Sequence, residues 1–274
     1  MTEKPYYLIQ SAQRAIHILK VFQPDKRAWG VTELSRALGL PKSVVHRLLR
    51  TLEEEGMVMH DPETNGYRLG FEAYRIGMVY LGQWNLPEDS SRHLRTLVHE
   101  LDMMAHLAVL DAGQVMYVNV VYPPRYVGEE FSWAGRRQPP YRSALGKALL
   151  AWLPAGRRDQ IVDGLSFEPL TPHTIIDREA FKAHLDQVRE QGYAVDDQEV
   201  GLGWRCVAAP AFDHTGQVVA AISVSAPVEQ LPLRRIPEVR ERVVHAALRL
   251  SERLGYAPAD SEKQIARRFA GQSE

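Results

Sequence analysis

Four apolar residues in the segment PKSVVHRLLRTL (41–52) recur with the period of an α-helix. They lie three or four positions apart and share one helical face: Val45, Leu48, Leu49 and Leu52. The opposite face is basic and polar, and it carries no acidic residue before Glu53. A solvated helix usually mixes charges of both signs, so this face requires a further explanation.

The segments on either side complete a pattern of helices and turns. Apolar spacing predicts a helix that begins near Ser11 and a short helix that begins near Thr32, each with a capping hydroxyl. Gly39 ends the short helix. The alternating runs MVMHD and GYRLG, joined by PETN, predict a β-hairpin. This order is typical of a winged helix-turn-helix domain, which we place at residues 8–70.

The remainder of the chain predicts an α+β domain. A helical period over 71–87, closed by Pro87, indicates a linker helix. From residue 88 to 256, helices alternate with strand pairs joined by turns, which favours an antiparallel sheet. GEEFSWAG (128–135) also has the pattern of a strand, and residues 257–274 are predicted to form a C-terminal tail.

Composition limits the classes of protein that fit. The 274 residues are 45% hydrophobic with a net charge of −1, so the chain as a whole offers no polycationic surface for coating DNA without sequence preference. One cysteine excludes an intramolecular disulfide and fits a reducing compartment. The polar N-terminus lacks a signal-peptide core, and no apolar run reaches membrane-spanning length, so we expect a cytoplasmic protein.

The basic face fits the major groove of DNA. A solvated helix surface is the alternative, but the helix-turn-helix context favours DNA, because Arg can read guanine edges and a helix N-terminus suits phosphate contact. Double-stranded DNA is therefore a predicted partner. The predicted DNA-contacting residues are Thr32, Lys42, Ser43, His46, Arg47, Arg50, Asn65 and Arg68, of which the last two lie on the wing.

The second domain contains polar residues that could line a pocket. Ser143 opens the helix SALGKALLAWL, whose first free amides could hold an anion such as a carboxylate. Ser223 and Ser225 share one face of a strand, and Cys206 lies on the partner strand. A solvated sheet face is the alternative for the two serines. Cys206 also permits a cysteine-based sensor or enzyme, although no catalytic signature surrounds it. The scattered histidines do not support a metal site, and we expect no cofactor.

Several long motifs together resemble the IclR-type bacterial transcription regulators. These are VTELSRALGLPKSVVHRLLRTLEEEGMV, GYRLG, SALGKALLAWLP and GYAVDDQEVGLGWRCVAAPAFDHTGQVVAAISVSAP. The resemblance implies a winged helix-turn-helix, a linker helix and a GAF-like antiparallel-sheet effector domain. It also implies a non-enzymatic repressor or activator that binds palindromic operators as homodimers, which can pair as tetramers, and that responds to a small organic acid.

The resemblance also implies an effector site at particular residues. Ala144 and Leu145 would offer main-chain amides to the ligand carboxylate. Asp196, Cys206, Ser223 and Ser225 would complete the polar lining, and a side wall near Phe131 and Trp133 would set the choice of ligand. Asp196 would repel an acid unless it bonds a ligand hydroxyl or carries a proton, so we expect a ligand with a hydrogen-bond donor beside its carboxylate.

Overall fold

The chain divides into two compact units after residue 85. The computed structural model describes residues 8–23, 26, 28–83, 86–124 and 133–257. Among these, no helix is long and apolar enough to cross a membrane.

The first unit is a winged helix-turn-helix, as the apolar spacing predicted. Its elements are α1 (Gln10–Val21), α2 (Val31–Leu38), α3 (Lys42–Glu54), β1 (Val58–Asp61), β2 (Gly66–Leu69) and α4 (Phe71–Gln83). The two strands pair antiparallel, with Val58 opposite Leu69. Ile18 of α1, Leu34 of α2 and the apolar face of α3 form one core with Val58 and Tyr67 of the hairpin. The helices are therefore held together by the residues that gave them their period.

Two helices of this unit begin differently from the prediction. Gly30, not Thr32, precedes α2, and the Glu33 carboxylate accepts a 2.9 Å hydrogen bond from the Gly30 main-chain N–H. The carboxylate at the third helical position thus satisfies the N–H of the residue that precedes the helix, which is one half of a capping box. Ser11 lies inside α1, which begins at Gln10 without a side-chain cap.

The second unit is built on a six-stranded antiparallel sheet. Its elements are α5 (Leu86–Leu101), β3 (Met104–Asp111), β4 (Gln114–Val121), β5 (Arg137–Gln138), α6 (Ala144–Ala151), α7 (Ala155–Asp163), α8 (Arg178–Gln191), β6 (Ala194–Asp197), β7 (Trp204–Phe212), β8 (Val218–Pro227) and α9 (Ile236–Arg253). The strand order is β5-β4-β3-β8-β7-β6. Helices α5 and α9 pack against each other and on this sheet, α6 also packs on the sheet, and α8 packs against α6. The α+β class is confirmed.

Two details of this unit differ from the sequence expectation, and two expected segments lie mostly or wholly outside the described residues. Pro87 lies in the first turn of α5 rather than at the end of α4, and proline is tolerated there because the first N–H groups of a helix have no partner within it. The strand expected at 128–135 falls mostly outside the described residues, and Trp133 lies in a turn before β5. β6 was not predicted. The expected tail also lies outside the described residues from 258 onward.

Candidate functional site

The first candidate site is the exposed face of α3. Val45 and Leu49 are fully buried, and Leu52 is buried beside them. The five polar residues predicted to contact DNA all lie exposed on this helix: Lys42, Ser43, His46, Arg47 and Arg50. The helix therefore has one face that holds it in the core and one face that is free to bind.

This basic surface continues onto α1. Arg14 of α1 lines a shallow groove together with His46, Arg47 and Arg50 of α3. Arg50 forms an exposed ion pair with Glu53, at 3.1 Å between Nη1 and Oε2, which is weak enough to exchange for a phosphate or a base. Sequence reasoning missed Arg14, because only the packing of α1 against α3 brings it to this surface.

The other predicted DNA contacts lie on separate elements. Asn65 is exposed at the hairpin tip with φ of +51°, and its Oδ1 lies 3.1 Å from Nε2 of His60. Arg68 is exposed on β2, whereas Thr32 is half-buried in the first turn of α2. Thr32 is therefore less accessible than the residues of α3.

The second candidate site is a cavity of about 290 Å³ on the sheet of the second unit. Four of its residues form one row across four strands, because Met104 pairs with Ser225, Ser225 with Cys206 and Cys206 with Asp196. Ser143, at the start of α6, also lines the cavity. Side chains more than 100 residues apart in the chain thus meet through strand register.

Aromatic rings form another wall of the cavity. The ring of Tyr117 lies edge-on to His106, with centroids 5.7 Å apart, and 5.2 Å from the ring of Trp133. Trp204 completes the apolar lining, and the amide of Gln138 donates a 2.7 Å hydrogen bond to the Tyr117 hydroxyl. These rings leave a flat-sided space with a few fixed polar groups.

The structure places the predicted effector residues at different depths. Asp196, Cys206 and Ser225 line the cavity. Ser223 is buried behind it, and its hydroxyl lies 3.4 Å from Nδ1 of His106. Ala144 and Leu145 do not line the cavity; they are buried in the first turn of α6 next to Ser143. Phe131 lies outside the described residues.

Burial shifts the pKa values of the titratable groups of the cavity toward their uncharged forms. It raises the pKa of Asp196 to about 6 and lowers the pKa of His106 to about 4. It also raises the pKa of Tyr117. No Lys or Arg lines the cavity within the part of the chain that the structure describes. An acidic ligand would therefore depend on main-chain amides and hydroxyls rather than on a cation.

The surroundings of Cys206 do not suit a catalytic thiol. Burial, followed by the charge of Asp196, raises the pKa of Cys206 well above its ordinary value. A nucleophilic cysteine needs a lowered pKa and an adjacent base. Among the described residues, no group of three or more His, Cys, Asp or Glu side chains could hold a metal ion.

Sequence reasoning missed two important cavity residues. His106 and Tyr117 lie inside predicted strands with no motif around them, so only the pairing of β3 with β8 and β4 places them here. The geometry of a strand places alternate residues of β3 on the same face as His106, but nothing in the sequence indicates that this face carries a cavity.

Two family models match the chain. The IclR helix-turn-helix domain matches residues 11–62, and the bacterial transcriptional regulator IclR C-terminal domain matches residues 78–252. The regulator XynR of Escherichia coli K12 is 34% identical over 249 residues, which are 91% of this chain and 98% of that protein. The regulator KdgR of Escherichia coli K12 is 34% identical over 244 residues, which are 87% of this chain and 92% of that protein. Both relatives are transcriptional regulators, not enzymes.

Solved structures share the fold. The IclR transcriptional regulator from Alicyclobacillus acidocaldarius is 26% identical with a TM-score of 0.79, covering 91% of this chain and 100% of that one. An IclR homologue from Microbacterium hydrocarbonoxydans, complexed with 4-hydroxybenzoate, is 21% identical with a TM-score of 0.78, and the match covers 89% of this chain and 98% of that one. With both domain models matched in order along the sequence, this chain belongs to the IclR family of bacterial transcriptional regulators, as its motifs predicted.

Proposed function

We propose that this chain binds a palindromic operator as a dimer and that a small organic acid in the cavity of the second unit changes its affinity for that operator. One observation carries this proposal: the cavity of about 290 Å³, with its polar row and aromatic wall, in a regulator that has a separate DNA-binding unit. A ligand that binds one arrangement of the protein better shifts the population toward it. The regulator would act in the cytoplasm, where bacterial DNA lies.

The exposed face of α3 supports a role as the recognition helix. An α-helix fits the major groove, where Arg can bond guanine edges and Ser or Lys can bond phosphates. Arg47 and Arg50 lie near the middle of the exposed face, and Lys42 and Ser43 lie at its N-terminal end. Asn65 and Arg68 would bind the backbone or minor groove from the hairpin.

The exposed face of α4 supports a dimer. This helix carries large apolar side chains in contact with solvent, including Phe71 at 80% and Tyr74 at 67% exposure, and also Ile76, Met78, Val79 and Tyr80. Phe71, Tyr74 and Met78 share one side of the helix, and a contiguous exposed apolar patch marks an interaction surface. A second copy of the chain would cover it and would supply the second recognition helix that a palindrome requires. Such dimers would also be able to pair into tetramers.

The start of α6 supports an acidic ligand. The Ser143 hydroxyl accepts a hydrogen bond from the Gly146 N–H at 3.2 Å and caps the helix. The N–H groups of Ala144 and Leu145, in the first turn, have no partner within the helix. A carboxylate at the cavity end of α6 would meet these amides and the positive end of the helix dipole. Asp196 would then bond a hydroxyl of the same ligand, or would carry a proton.

A mobility-shift assay tests the DNA-binding face. The probe is the DNA upstream of the chain's own gene, and the variants are Arg47→Ala and Arg50→Ala. We expect each to weaken binding about tenfold or more, as for the loss of one base contact. Arg249→Ala is the matched control, since Arg249 is similarly exposed on α9 and forms the same i,i+3 pair with a glutamate. Binding as tight as wild type in both α3 variants would refute the assignment.

Calorimetry tests the ligand class. The panel contains glyoxylate, pyruvate and 4-hydroxybenzoate, titrated into wild type and Asp196→Ala. We expect an acid with a hydrogen-bond donor to bind wild type and to lose about tenfold in affinity on Asp196→Ala. Asp186→Ala, an exposed carboxylate on α8, is the control. Equal affinities for wild type and Asp196→Ala would contradict the role of Asp196.

A further inference from the structure

A buried ion pair lies directly behind the cavity wall. Lys147 of α6 is completely buried, and its ammonium bonds the Glu199 carboxylate and, at 3.0 Å, the main-chain oxygen of Val195. Glu199 is itself buried, and its Oε2 has no hydrogen-bond partner. Removing two charges from water costs several kcal/mol per ion, and apolar residues often fill such a site at lower cost. The pair therefore needs a reason other than stability.

The pair holds the turn that follows β6. The main-chain N–H of Glu199 donates a 2.7 Å hydrogen bond to Oδ1 of Asp196, a cavity residue. The main-chain oxygen of Glu199 accepts from the Thr174 hydroxyl at 2.8 Å. Gln198, just before it, has φ of +63°, a conformation that a non-glycine residue adopts only when its surroundings impose it. The turn then supplies Val200 and Gly201 to the cavity lining.

We propose that Lys147 and Glu199 are positioning residues of the effector cavity: the pair anchors the turn that presents the Asp196 carboxyl to the ligand, and its two charges act in opposite directions on the protonation of that carboxyl. This proposal rests on the proposed function in one respect: it takes the cavity to be the site where the effector binds. Neither residue lines the cavity, so each acts through Asp196.

The charges around Asp196 have opposite effects on its protonation. Burial is the main cause of its raised pKa; the Glu199 charge adds to the rise, and the Lys147 charge opposes it. The other titratable groups that share its surroundings are Cys206 on β7, Tyr117 on β4 and His106 on β3, all largely uncharged at neutral pH, while β8 offers the Ser225 hydroxyl. Among the described residues, Glu199 and Lys147 are thus charged side chains that shift the pKa of Asp196 in opposite directions.

A carbon-13 NMR titration of the full chain, labelled at aspartate carboxyls and free of ligand, tests the charge effect. The Asp196 resonance is identified by its loss in Asp196→Asn. Glu199→Gln keeps an oxygen for Lys147 but removes the negative charge, so the Asp196 midpoint falls by about one pH unit; Lys147→Met raises it by a similar amount. Glu179→Gln, exposed on α8, leaves it unchanged. Unchanged midpoints, or shifts in the same direction, would overturn the charge effect.

Hydrogen exchange tests the anchoring. The double variant Lys147→Met/Glu199→Gln leaves no unpaired buried charge, so it keeps the fold even where a single variant does not. We expect the amides of residues 198–203 to exchange about tenfold faster than in wild type, whereas those of α9 stay unchanged. Unchanged exchange in the turn would overturn the anchoring. Neither measurement uses a ligand. A negative result in both would therefore contradict the positioning role but not the proposed function, and failure to find an acid ligand would contradict the proposed function but not the positioning role.

Discussion

The hydroxyl of Ser225 donates a hydrogen bond to Sγ of Cys206, 3.0 Å away, where the two residues face each other across β8 and β7. Asp196 lies opposite Cys206 on the next strand, and burial, with the charge of Asp196 adding to it, raises the pKa of the thiol. A thiolate is therefore scarce at neutral pH. The sulfur serves as part of the cavity wall and not as a nucleophile.

Cys206 should consequently react slowly with alkylating reagents. Because only the thiolate is nucleophilic, we expect iodoacetamide at neutral pH to modify folded protein at least about tenfold more slowly than protein unfolded in urea. Mass spectrometry follows one product, since the chain has one cysteine. A folded-state rate equal to or above the unfolded rate would instead favour a reactive, sensor-type cysteine.

Gly146 should not tolerate a side chain. A Cβ at this position would lie 2.1 Å from the main-chain oxygen of Pro140, so Gly146→Ala must displace the start of α6. We expect the free energy of unfolding to fall by about 1–3 kcal/mol in urea denaturation. Gly156→Ala on α7, where a Cβ meets nothing within 4 Å, is the control and should be neutral or slightly stabilising. Equal effects of the two variants would show that α6 does not pack as described.

The two faces of α3 should separate folding from binding. Leu49 is fully buried and Arg50 is exposed, although they are neighbours in the sequence. Leu49→Ala should cost about 2–5 kcal/mol of stability in the first unit, measured by thermal and urea unfolding. Arg50→Ala should leave stability within about 0.5 kcal/mol of wild type. A comparable loss of stability in both variants would mean that the basic face is part of the core packing.

His106 and Asp196 should affect acid stability in opposite directions. The pKa of His106 is about 4 when folded and 6.5 when unfolded, so the unfolded chain takes up the proton first and stability falls as the pH decreases from 6.5 to 4. The pKa of Asp196 is about 6 when folded and 3.8 when unfolded. The folded chain therefore takes up the proton first, and stability rises as the pH decreases from 6 to 3.8.

Two variants test these opposing contributions. Urea denaturation across this range should show that His106→Asn loses less stability on acidification than wild type, and that Asp196→Asn loses more. Each difference is expected to be on the order of 2 kcal/mol. If both variants kept the wild-type slope, neither side chain would be buried as described.

Local patterns predicted most of the fold, because each depends on neighbouring residues. The apolar period of α3, the Gly39 stop of α2 and the alternation of β8 all appear in the sequence. β6 was missed because AVDD carries two carboxylates, a composition that disfavours strands in isolation. The tertiary position of β6 beside β7 outweighs this local preference. Asp197 forms an ion pair with Arg205 of β7, and Asp196 lines the cavity.

The cavity could be predicted only in part, because it depends on strand register. Ser225 and Cys206 lie on neighbouring predicted strands, so their proximity followed from one hairpin. His106 and Tyr117 join them only through the pairing of β3 with β8 and of β3 with β4, and nothing local signals the first of these pairings. The Lys147–Glu199 pair likewise joins residues 52 positions apart.

Fluorescence anisotropy of labelled upstream DNA measures most directly whether the cavity controls DNA binding. Protein is titrated into the DNA with and without a saturating acid identified by calorimetry. In wild type we expect the acid to change the Kd for DNA at least about fivefold. In Ser225→Leu, which fills the cavity and whose fold circular dichroism checks, we expect the same acid to leave the Kd unchanged. A bound acid that left the wild-type Kd unchanged, or changed it equally in Ser225→Leu, would contradict control of the operator through this cavity.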